Sequence, residues 1–482
     1  MEGEGAANIT WSQASHRLSP SSANMLGIMC YVAPVSVPEA LFDAMLKDDL
    51  PPELSFCSHE LLLSETMEEL ERLKLIEQDK SKSLLSLRPL VRDRFRLLTS
   101  EADNQRFFDN ATYLLYETFP HAGVKTGQLY ERWAECKEYL QHVLSLRDQY
   151  FRLMTKEEPL LPSLGFCRLL KSLTGYLIES GSYQEAEHTI EVTKAAFETL
   201  GEEDQDQELY SDLCGLSGLA SAHRGLFTAA RPWLEQAHQM RAEARPLDKR
   251  ELSWAEVNLA NLKGSAGNYQ ASLDWQTKAF RTHQAYNGNA LSALRPQTVF
   301  CQNMGRCKYF VGAHAEAHIW CQMAINMLAG SENWAMVAYT YFVRGNVNRA
   351  ERNLEEAQAD FLRAQQVWLK GGQMPNHHFI GACLYKIGCV ALDAGDVELS
   401  IRNLERSLEM ATLHQHVLQG DYARVLYKLS VALSSCGFDD GEAEQRMKEA
   451  EAIARRCLGL ADDAAFVNEE RTYDGLVYIL WR

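Results

Sequence analysis

The stretch Gly181-Ser-Tyr-Gln-Glu-Ala186 decides the fold, because close copies of it recur along the chain. It returns as Gly225-Leu-Phe-Thr-Ala-Ala230 and again as Gly267-Asn-Tyr-Gln-Ala-Ser272. Looser copies follow at 312–317, 352–357, 395–400 and 437–443. The small residues that close the copies stand 40 to 45 residues apart. A spacing this regular indicates an internal repeat of about 42 residues.

Two further small residues keep a nearly fixed distance from each closing residue. Twelve residues before it, or thirteen in the last copy, stand Thr174, Gly218, Ala260, Gly305, Gly345, Gly388 and Ser430. Seven residues after it stand Thr193, Ala237, Ala279, Ala324, Ala364, Ser407 and Ala450. Antiparallel helices approach closely only where the side chains at their crossing are small. A glycine between the two helices supplies the turn that ends the first one.

The repeating unit resembles the tetratricopeptide repeat, whose standard length is ~34 residues. Its excess length is similar to that of the longer repeats of the kinesin-light-chain kind. The predicted fold is therefore all-α, an α-solenoid of about seven 42-residue tetratricopeptide-like hairpins over residues 165–455. A helix over about 464–480, within residues 456–482, is predicted to cap the solenoid. An irregular helical bundle is the alternative.

Residues 1–98 lack the repeat and show another pattern. Apolar stripes at 18–31, 40–46 and 67–76 predict three helices. A polar turn at 79–83 and the apolar stretch 84–87 predict a β-hairpin. Three helices and a short hairpin are typical of a winged-helix-like domain. Residues 99–164 are then predicted to be a helical connector, which an incomplete repeat would also explain.

A series of short motifs resembles the region that follows the nucleotide-binding domain in fungal STAND, NLR-like proteins. The motifs are Trp11-Ser12, Leu18-Ser19, the run 23–28, Val37-Pro38-Glu39-Ala40-Leu41-Phe42, the segments 84–94, 107–120 and 133–146, and the ending from Tyr473-Asp474-Gly475 to Trp481-Arg482. The resemblance covers nearly the whole chain. It implies a winged helix that serves as an internal packing module, followed by tetratricopeptide repeats.

Two departures from that family concern nucleotide binding. The sequence has no Gly-x-x-x-x-Gly-Lys-Ser/Thr motif, the loop whose backbone amides and lysine hold phosphates. Arg88 and Arg92 stand where the family has a histidine and a glutamine. The resemblance therefore implies the back half of a nucleotide-dependent switch without its ATPase. We expect no cofactor.

Composition limits the partners and the compartment. The net charge of −17 repels phosphate backbones and anionic membranes. Residues 1–10 lack the basic and apolar regions of a secretion signal, and no stretch reaches the ~20 apolar residues of a membrane helix. The twelve cysteines include no Cys-x-x-Cys pair and favour reduced thiols inside the cell. We expect a cytoplasmic location, with the nucleus as the alternative.

The basic stretch 72–96 is the one feature that favours nucleic acid. It holds eight lysines and arginines against three acidic residues. Basic residues around the hairpin of a winged helix are positioned to contact phosphates. The candidate DNA contacts are Lys82, Arg88, Arg92 and Arg94. A solvated charge run is the commoner explanation, so nucleic acid is not the expected partner.

Catalytic and metal sites lack support in the sequence. No nucleophile elbow, zinc-protease motif or dinucleotide fingerprint occurs. His377-His378 and the His414/His416 pair are the closest approach to a metal site. Residues two apart on a helix do not share a face, and no cysteine or carboxylate cluster completes either pair. We therefore expect neither a catalytic site nor a metal site.

The inner face of the solenoid is the predicted partner site, since helical repeats mostly bind peptides there. In the tetratricopeptide frame, residues near the small crossing position of each first helix face the groove. The candidates are Asn258, Asn261, Asn303, Arg306, Asn346, Lys386 and Lys428. Asparagine can bond peptide backbone, and lysine or arginine can bind carboxylates. These residues can equally be solvated polar groups.

The sequence therefore predicts a non-enzymatic scaffold or sensor-type module that binds an acidic or extended protein segment. A transcriptional regulator with its winged helix on DNA is the alternative. An enzyme of undetected type in the solenoid cavity is the third hypothesis.

Overall fold

The structure, a computed structural model, describes residues 18–43, 50–122, 128–156, 159–287, 294–331, 333–372, 374–436, 441–461 and 463–482. The motif Trp11-Ser12 and residues 437–440 of the last repeat copy lie outside this set. The chain divides into two compact units. Unit 1 comprises Met1–Gly123, Arg132–Tyr176 and His188–Asp206, and unit 2 comprises Val124–Glu131, Leu177–Glu187 and Gln207–Arg482.

Unit 1 begins with a small mixed structure. Its elements are α1 (Pro20–Met29), β1 (Val37–Pro38), α2 (Glu60–Arg72), β2 (Ile76–Asp79), β3 (Leu84–Leu87) and α3 (Pro89–Leu98), with 3-10 turns at Glu39–Phe42 and Pro52–Ser58. The strands form an antiparallel sheet in the order β1-β3-β2, with Ile76 opposite Leu87. The predicted β-hairpin is therefore present. The second predicted helix, at 40–46, is replaced in its described part by a 3-10 turn, and the third lies at 60–72 rather than 67–76.

The rest of unit 1 is helical. Its helices are α4 (Glu101–Thr118) and α5 (Trp133–Leu153), followed by α6 (Leu164–Glu179) and α7 (Tyr183–Glu198), which form hairpin 1. The turn of hairpin 1 groups with unit 2. Buried aromatic rings join these helices, since the Phe166 ring lies 5.1 Å from the Phe108 ring and 4.9 Å from the Tyr150 ring. Such contacts add about 0.5–1.5 kcal/mol each to the burial of the rings.

Unit 2 contains hairpins 2 to 7, so the seven predicted helical hairpins are confirmed. Their helices, in pairs, are α8 (Gln207–His223) and α9 (Phe227–Glu243), α10 (Lys249–Ser265) and α11 (Tyr269–Asn287), α12 (Leu294–Phe310) and α13 (His314–Met327), α14 (Trp334–Ala350) and α15 (Leu354–Gly372), α16 (His378–Asp393) and α17 (Val397–Leu413), and α18 (Gln419–Ser435) and α19 (Glu442–Leu458).

The small residues of the repeat lie where the two helices of a hairpin cross. A Cβ atom on Gly218 would lie 2.5 Å from Leu234, and one on Gly388 would lie 2.7 Å from Leu404. Real Cβ atoms do not approach other atoms so closely. The larger side chain comes from the second helix in each case, four residues after the closing small residue. The recurring glycines therefore set the distance between the helices.

The turns confirm the other role predicted for glycine. The turn glycines Gly181, Gly225, Gly267, Gly312 and Gly395 all have φ between +79° and +83°. L-residues adopt this conformation at a cost of roughly 1–2 kcal/mol. Hairpin 5 is the exception, because Arg352 occupies the same position with φ +66°.

The predicted capping helix at 456–482 is wrong. After α19, the chain forms only the short helix α20 (Glu470–Asp474) and a 3-10 turn at Ile479–Trp481. A helix would bury one face of residues 476–481, whereas these residues are apolar on every side. Surrounding helices of unit 2 bury them more completely than a terminal cap would.

Gly218→Ala is predicted to lower the free energy of unfolding by about 1–3 kcal/mol, because the new methyl group overlaps Leu234. Gly215→Ala, in the same helix, is the matched control. Its Cβ would lie 4.0 Å from Ala237, an ordinary contact. We expect this control to be neutral or stabilising by about 0.5–1 kcal/mol. Urea unfolding followed by circular dichroism measures both, and equal stabilities would contradict the close crossing.

Candidate functional site

The C-terminal segment, residues 463–482, lies against the first helices of hairpins in unit 2. We call the surface that these helices present to it the groove. The segment is deeply inserted, since seven of its residues are at most 6% exposed. They are Tyr473, Leu476, Val477, Tyr478, Ile479, Trp481 and Arg482. The groove therefore already holds a length of polypeptide, which belongs to the same chain.

Groove side chains satisfy the backbone of this segment. The Ser265 hydroxyl accepts a hydrogen bond from the Ile479 amide at 3.1 Å. The Asn346 amide donates to the main-chain oxygen of Arg482 at 3.0 Å. The Arg424 guanidinium donates to the main-chain oxygen of Trp481 at 2.8 Å. Bonds of this kind recognise main-chain groups whatever the side chains are, here in and beside the 3-10 turn at Ile479–Trp481.

Ion pairs fix the acidic residues of the segment. The Glu470 carboxylate lies 2.6 Å from both the Arg349 guanidinium and the Lys428 ammonium. Asp474 lies 3.4 Å from Arg424, which is 1% exposed. Burial favours protonation of Glu470, but the bond and charge of Arg349, together with Lys428, outweigh it and hold the pKa well below its ordinary value. Glu470 is therefore an anion in the groove.

An aromatic cage holds Trp481 at the inner end of the segment. Its ring lies 4.8 Å from His378, 5.6 Å from Phe379 and 6.0 Å from Tyr339. The Trp481 indole also donates to His223 Nδ1 at 3.4 Å. These rings come from the first helices of hairpins 5 and 6 and from the end of α8. Edge-on contacts of this kind are favourable for aromatic pairs.

The cage residues His223 and His378 belong to a group of buried and half-buried histidines that also includes His377. His378 Nε2 lies 2.7 Å from the Tyr183 hydroxyl, and His377 Nε2 lies 3.1 Å from the main-chain oxygen of Glu179. Burial lowers the pKa of His223 and of His377 to about 3, and that of His378 well below its ordinary value. His377, His223, His414 and Arg424 add to this effect on His378. His223, His377 and His378, which we call the histidine cluster, are therefore neutral at physiological pH.

Glycines give the segment room. A Cβ atom on Gly225, in the turn of hairpin 2, would lie 2.6 Å from the main-chain oxygen of Leu476. A Cβ atom on Gly420, in hairpin 7, would lie 2.6 Å from the same oxygen. The chain thus passes Leu476 between two positions that lack side chains.

Three of the seven predicted groove residues hydrogen-bond to the segment, and the charges of Arg306 and Lys386 act on it. Asn346 and Lys428 contact it as described above, and Asn261 hydrogen-bonds to the Tyr478 hydroxyl. The charge of Arg306 acts on Tyr478, and Arg306 also donates to Asn261 and to the Tyr339 hydroxyl.

The side chains of Asn258, Asn303 and Lys386 make no hydrogen bond to the described part of the chain. Asn258 is half-buried, whereas Asn303 is 4% exposed and Lys386 is 2% exposed. Burial lowers the pKa of Lys386, although the charge of Asp474 opposes this. Their role in binding a partner stays a prediction.

Sequence reasoning missed Arg349, Arg424 and the histidine cluster. Arg349 lies three residues after Asn346, and Arg424 lies four residues before Lys428. Both therefore share a helix face with a predicted residue, and extending the helical period by one turn would have found them. The histidines gave no such signal, since His223 and His378 come from hairpins far apart in the sequence.

Two of the candidate DNA contacts pair with acidic side chains. Lys82 lies 3.7 Å from Asp79, and Arg88 lies 2.8 Å from Glu77. Arg92 is half-buried and Arg94 is exposed. Helix α2 carries five glutamates and one arginine, a charge that repels phosphate. Its exposed glutamates are Glu60, Glu65, Glu68 and Glu71.

Within the described residues, no group of three or more His, Cys, Asp or Glu side chains is placed to hold a metal ion. The described helices also include none with the length and apolar character needed to cross a membrane.

No family model and no curated protein matches the chain. Similar solved structures include a STAND protein with a tetratricopeptide repeat sensor from Pyrococcus horikoshii, at 12% identity and a TM-score of 0.42 over 86% of this chain and 62% of that one. Another is a Podosopora anserina putative kinesin light chain with nearly identical TPR-like repeats. It is 16% identical, with a TM-score of 0.34 over 44% of this chain and 98% of that one. A third is a Rap protein complexed with competence and sporulation factor. It is 12% identical, with a TM-score of 0.47 over 74% of this chain and 99% of that one. At these identities the likeness concerns the fold and gives this chain no activity.

Glu470→Lys is predicted to loosen the C-terminal segment, because it places a third cation beside Arg349 and Lys428. Hydrogen exchange of the amides in 473–482 should become faster by about tenfold or more. Asp463→Lys is the control, since it makes the same charge change at an exposed residue of the segment. Unchanged exchange in Glu470→Lys would show that these ion pairs do not hold the segment.

The histidine cluster predicts a loss of stability in mild acid. The unfolded chain binds protons on these histidines below about pH 6.5, whereas in the folded unit His223 and His377 stay neutral until near pH 3. The free energy of unfolding should therefore fall as the pH is lowered from about 7 to 5. His378→Gln should reduce this slope by up to about 1.4 kcal/mol per pH unit. The exposed His416→Gln should leave it unchanged, and equal slopes in all three proteins would contradict the prediction.

Proposed function

We propose that this chain is a non-enzymatic protein-interaction module of the sensor type, which binds an acidic protein segment in the groove of unit 2. One observation carries the proposal. The groove already holds such a segment through backbone bonds, carboxylate pairs and an aromatic cage. A surface that binds its own chain in this way has the chemistry to bind another.

The charge of the groove supports an acidic occupant. Its buried or half-buried cations are Arg306, Arg349, Lys386, Arg424 and Lys428. Among the helix residues that pair with them, Asp393 and Asp421 supply two carboxylates. The helices therefore leave an excess of positive charge, which Glu470 and Asp474 reduce. Buried cations without a counter-charge are costly, so a segment without acidic residues would bind poorly.

The organisation of the chain is part of the proposal. We interpret residues 1–98 as a winged-helix-like packing module and 99–164 as a connector in the back half of a STAND-like protein. The matching motifs from Leu18-Ser19 onward support this interpretation. The acidic helix α2 and the pairing of Lys82 and Arg88 favour packing over DNA binding. Hairpins 2 to 7 of unit 2 then form the part that receives a partner.

Peptide display tests the proposal. The bait is the full chain with Glu470→Lys and Trp481→Ala, which should weaken the hold of the C-terminal segment on the groove; we call it the released chain. Random displayed peptides selected on it should be enriched in aspartate and glutamate. Asn258→Ala with Asn303→Ala, added to the released chain, should weaken their binding by about tenfold, the effect of one or two lost hydrogen bonds.

Gln322→Ala is the matched control, because Gln322 is exposed on the second helix of hairpin 4. It should leave peptide binding unchanged. Circular dichroism and Tm establish that each variant is folded. Selection of no peptides, or of peptides that bind the groove variant and the released chain equally, would overturn the proposed function.

A further inference from the structure

We propose that residues 463–482 are an exchangeable internal ligand, which competes with partners for the groove and whose own sequence defines the partner that the groove accepts. The inference rests on the proposed function and adds two claims to it. The first is that the segment leaves the groove when a partner binds. The second is that the partner resembles the segment.

The segment has the recognition features of a ligand. Groove side chains bond to its main chain at Ile479, Trp481 and Arg482, and further main-chain bonds lie within the segment itself. Its acidic and aromatic contacts come from Glu470, Asp474, Tyr478 and Trp481, which are spaced four, four and three residues apart. The buried Arg482 side chain also donates to the main-chain oxygens of Gly264 and Ser265. The two carboxylates pair with arginine and lysine, and the two aromatic rings contact His223. The predicted partner segment therefore has two acidic residues followed by two aromatic ones at similar spacing.

The outer end of the segment is where exchange can begin. Residues Val467, Asn468 and Arg471 are exposed, and the Glu470 side chain is 29% exposed. A partner carboxylate can therefore approach Arg349 and Lys428 while the inner aromatic residues stay in place. Replacement can then proceed inward, so that few charges are left unpaired at any stage.

The same charges make the exchange selective. If the segment left without a replacement, Arg424 would keep Asp421 but lose Asp474 and a main-chain acceptor. Arg424 would then be less well stabilised, since it would lose one of its two carboxylate partners and an acceptor. A partner that lacks carboxylates gives nothing to offset this loss. The segment therefore excludes weak binders and yields to acidic ones.

Tethering gives the segment an advantage. A ligand on a short linker has an effective concentration in the millimolar range. A separate peptide with the same intrinsic affinity therefore binds the intact chain only at comparable concentrations. A weakened segment should open the groove to micromolar peptide.

Fluorescence anisotropy tests the inference with a labelled synthetic peptide of residues 463–482. We expect the full chain with Glu470→Lys to bind it at least about tenfold more tightly than the unmodified chain. The chain with Asp463→Lys should bind like the unmodified chain. Trp481→Ala offers a second release variant that keeps every charge, because it removes from the tethered segment the ring that contacts His378, Phe379 and Tyr339 and leaves the groove unaltered.

A double-mutant cycle identifies the binding site. A peptide with Glu470→Gln should bind the Glu470→Lys chain about tenfold more weakly than the unaltered peptide, since one charge pair is lost. Adding Lys428→Met to the chain should shrink this ratio to about twofold or less. A ratio that does not change would place the peptide elsewhere and overturn the inference.

The remaining outcomes separate this inference from the proposed function. Suppose that both release variants are folded, bind selected display peptides, and show no binding of the 463–482 peptide. The segment is then a fixed part of unit 2, while the proposed function stands. If no acidic peptide binds either, the proposed function fails as well. Concentration-dependent dimers that exchange their segments would also overturn the inference, because the occupant would then come from a second copy.

Discussion

The close crossing of two helices at a small residue is the constraint on which this structure depends. At Gly218 and Gly388 the partner helix approaches so closely that even a methyl group has no space. This contact fixes the rotation of each first helix about its axis, and with it the side chains that face the groove. Asn346 and Lys428 stand near such a crossing residue in their hairpins. Packing between helices thus determines the chemistry of a surface that those contacts do not touch.

Water alone does not stabilise the buried cations of the groove well. Arg424 is 1% exposed and Lys386 is 2% exposed, so both depend on charges that other parts of the protein supply. Asp421 is the nearest carboxylate from the helices to Arg424, and the C-terminal segment adds Asp474. The segment therefore completes the electrostatics of the hairpins. Without the segment, the hairpins would keep their fold, but the buried cations of the groove would lack part of their counter-charge. The groove would therefore not accept every ligand.

The hairpins and part of the groove are predictable from sequence because they obey a local period. Gly305, for example, recurs in register with other small residues, and Arg306 follows from it at a fixed offset. The occupant of the groove has no such register. The Ile479 amide reaches Ser265 across more than two hundred residues, and no spacing relates them. The apolar run at 476–481 signals burial, but it does not say against which surface. The predicted capping helix failed for that reason, and the histidine cluster was missed for the same one.

The burial gradient along the C-terminal segment also has a consequence for time. Its outer residues are exposed and its inner residues, from Leu476 onward, are nearly all buried. A partner that needs the inner cage must wait until Trp481 withdraws, whatever its concentration. The observed association rate should then level off at the rate of that withdrawal, as in conformational selection. The segment would act as a delay, and brief encounters with a partner would leave the groove closed.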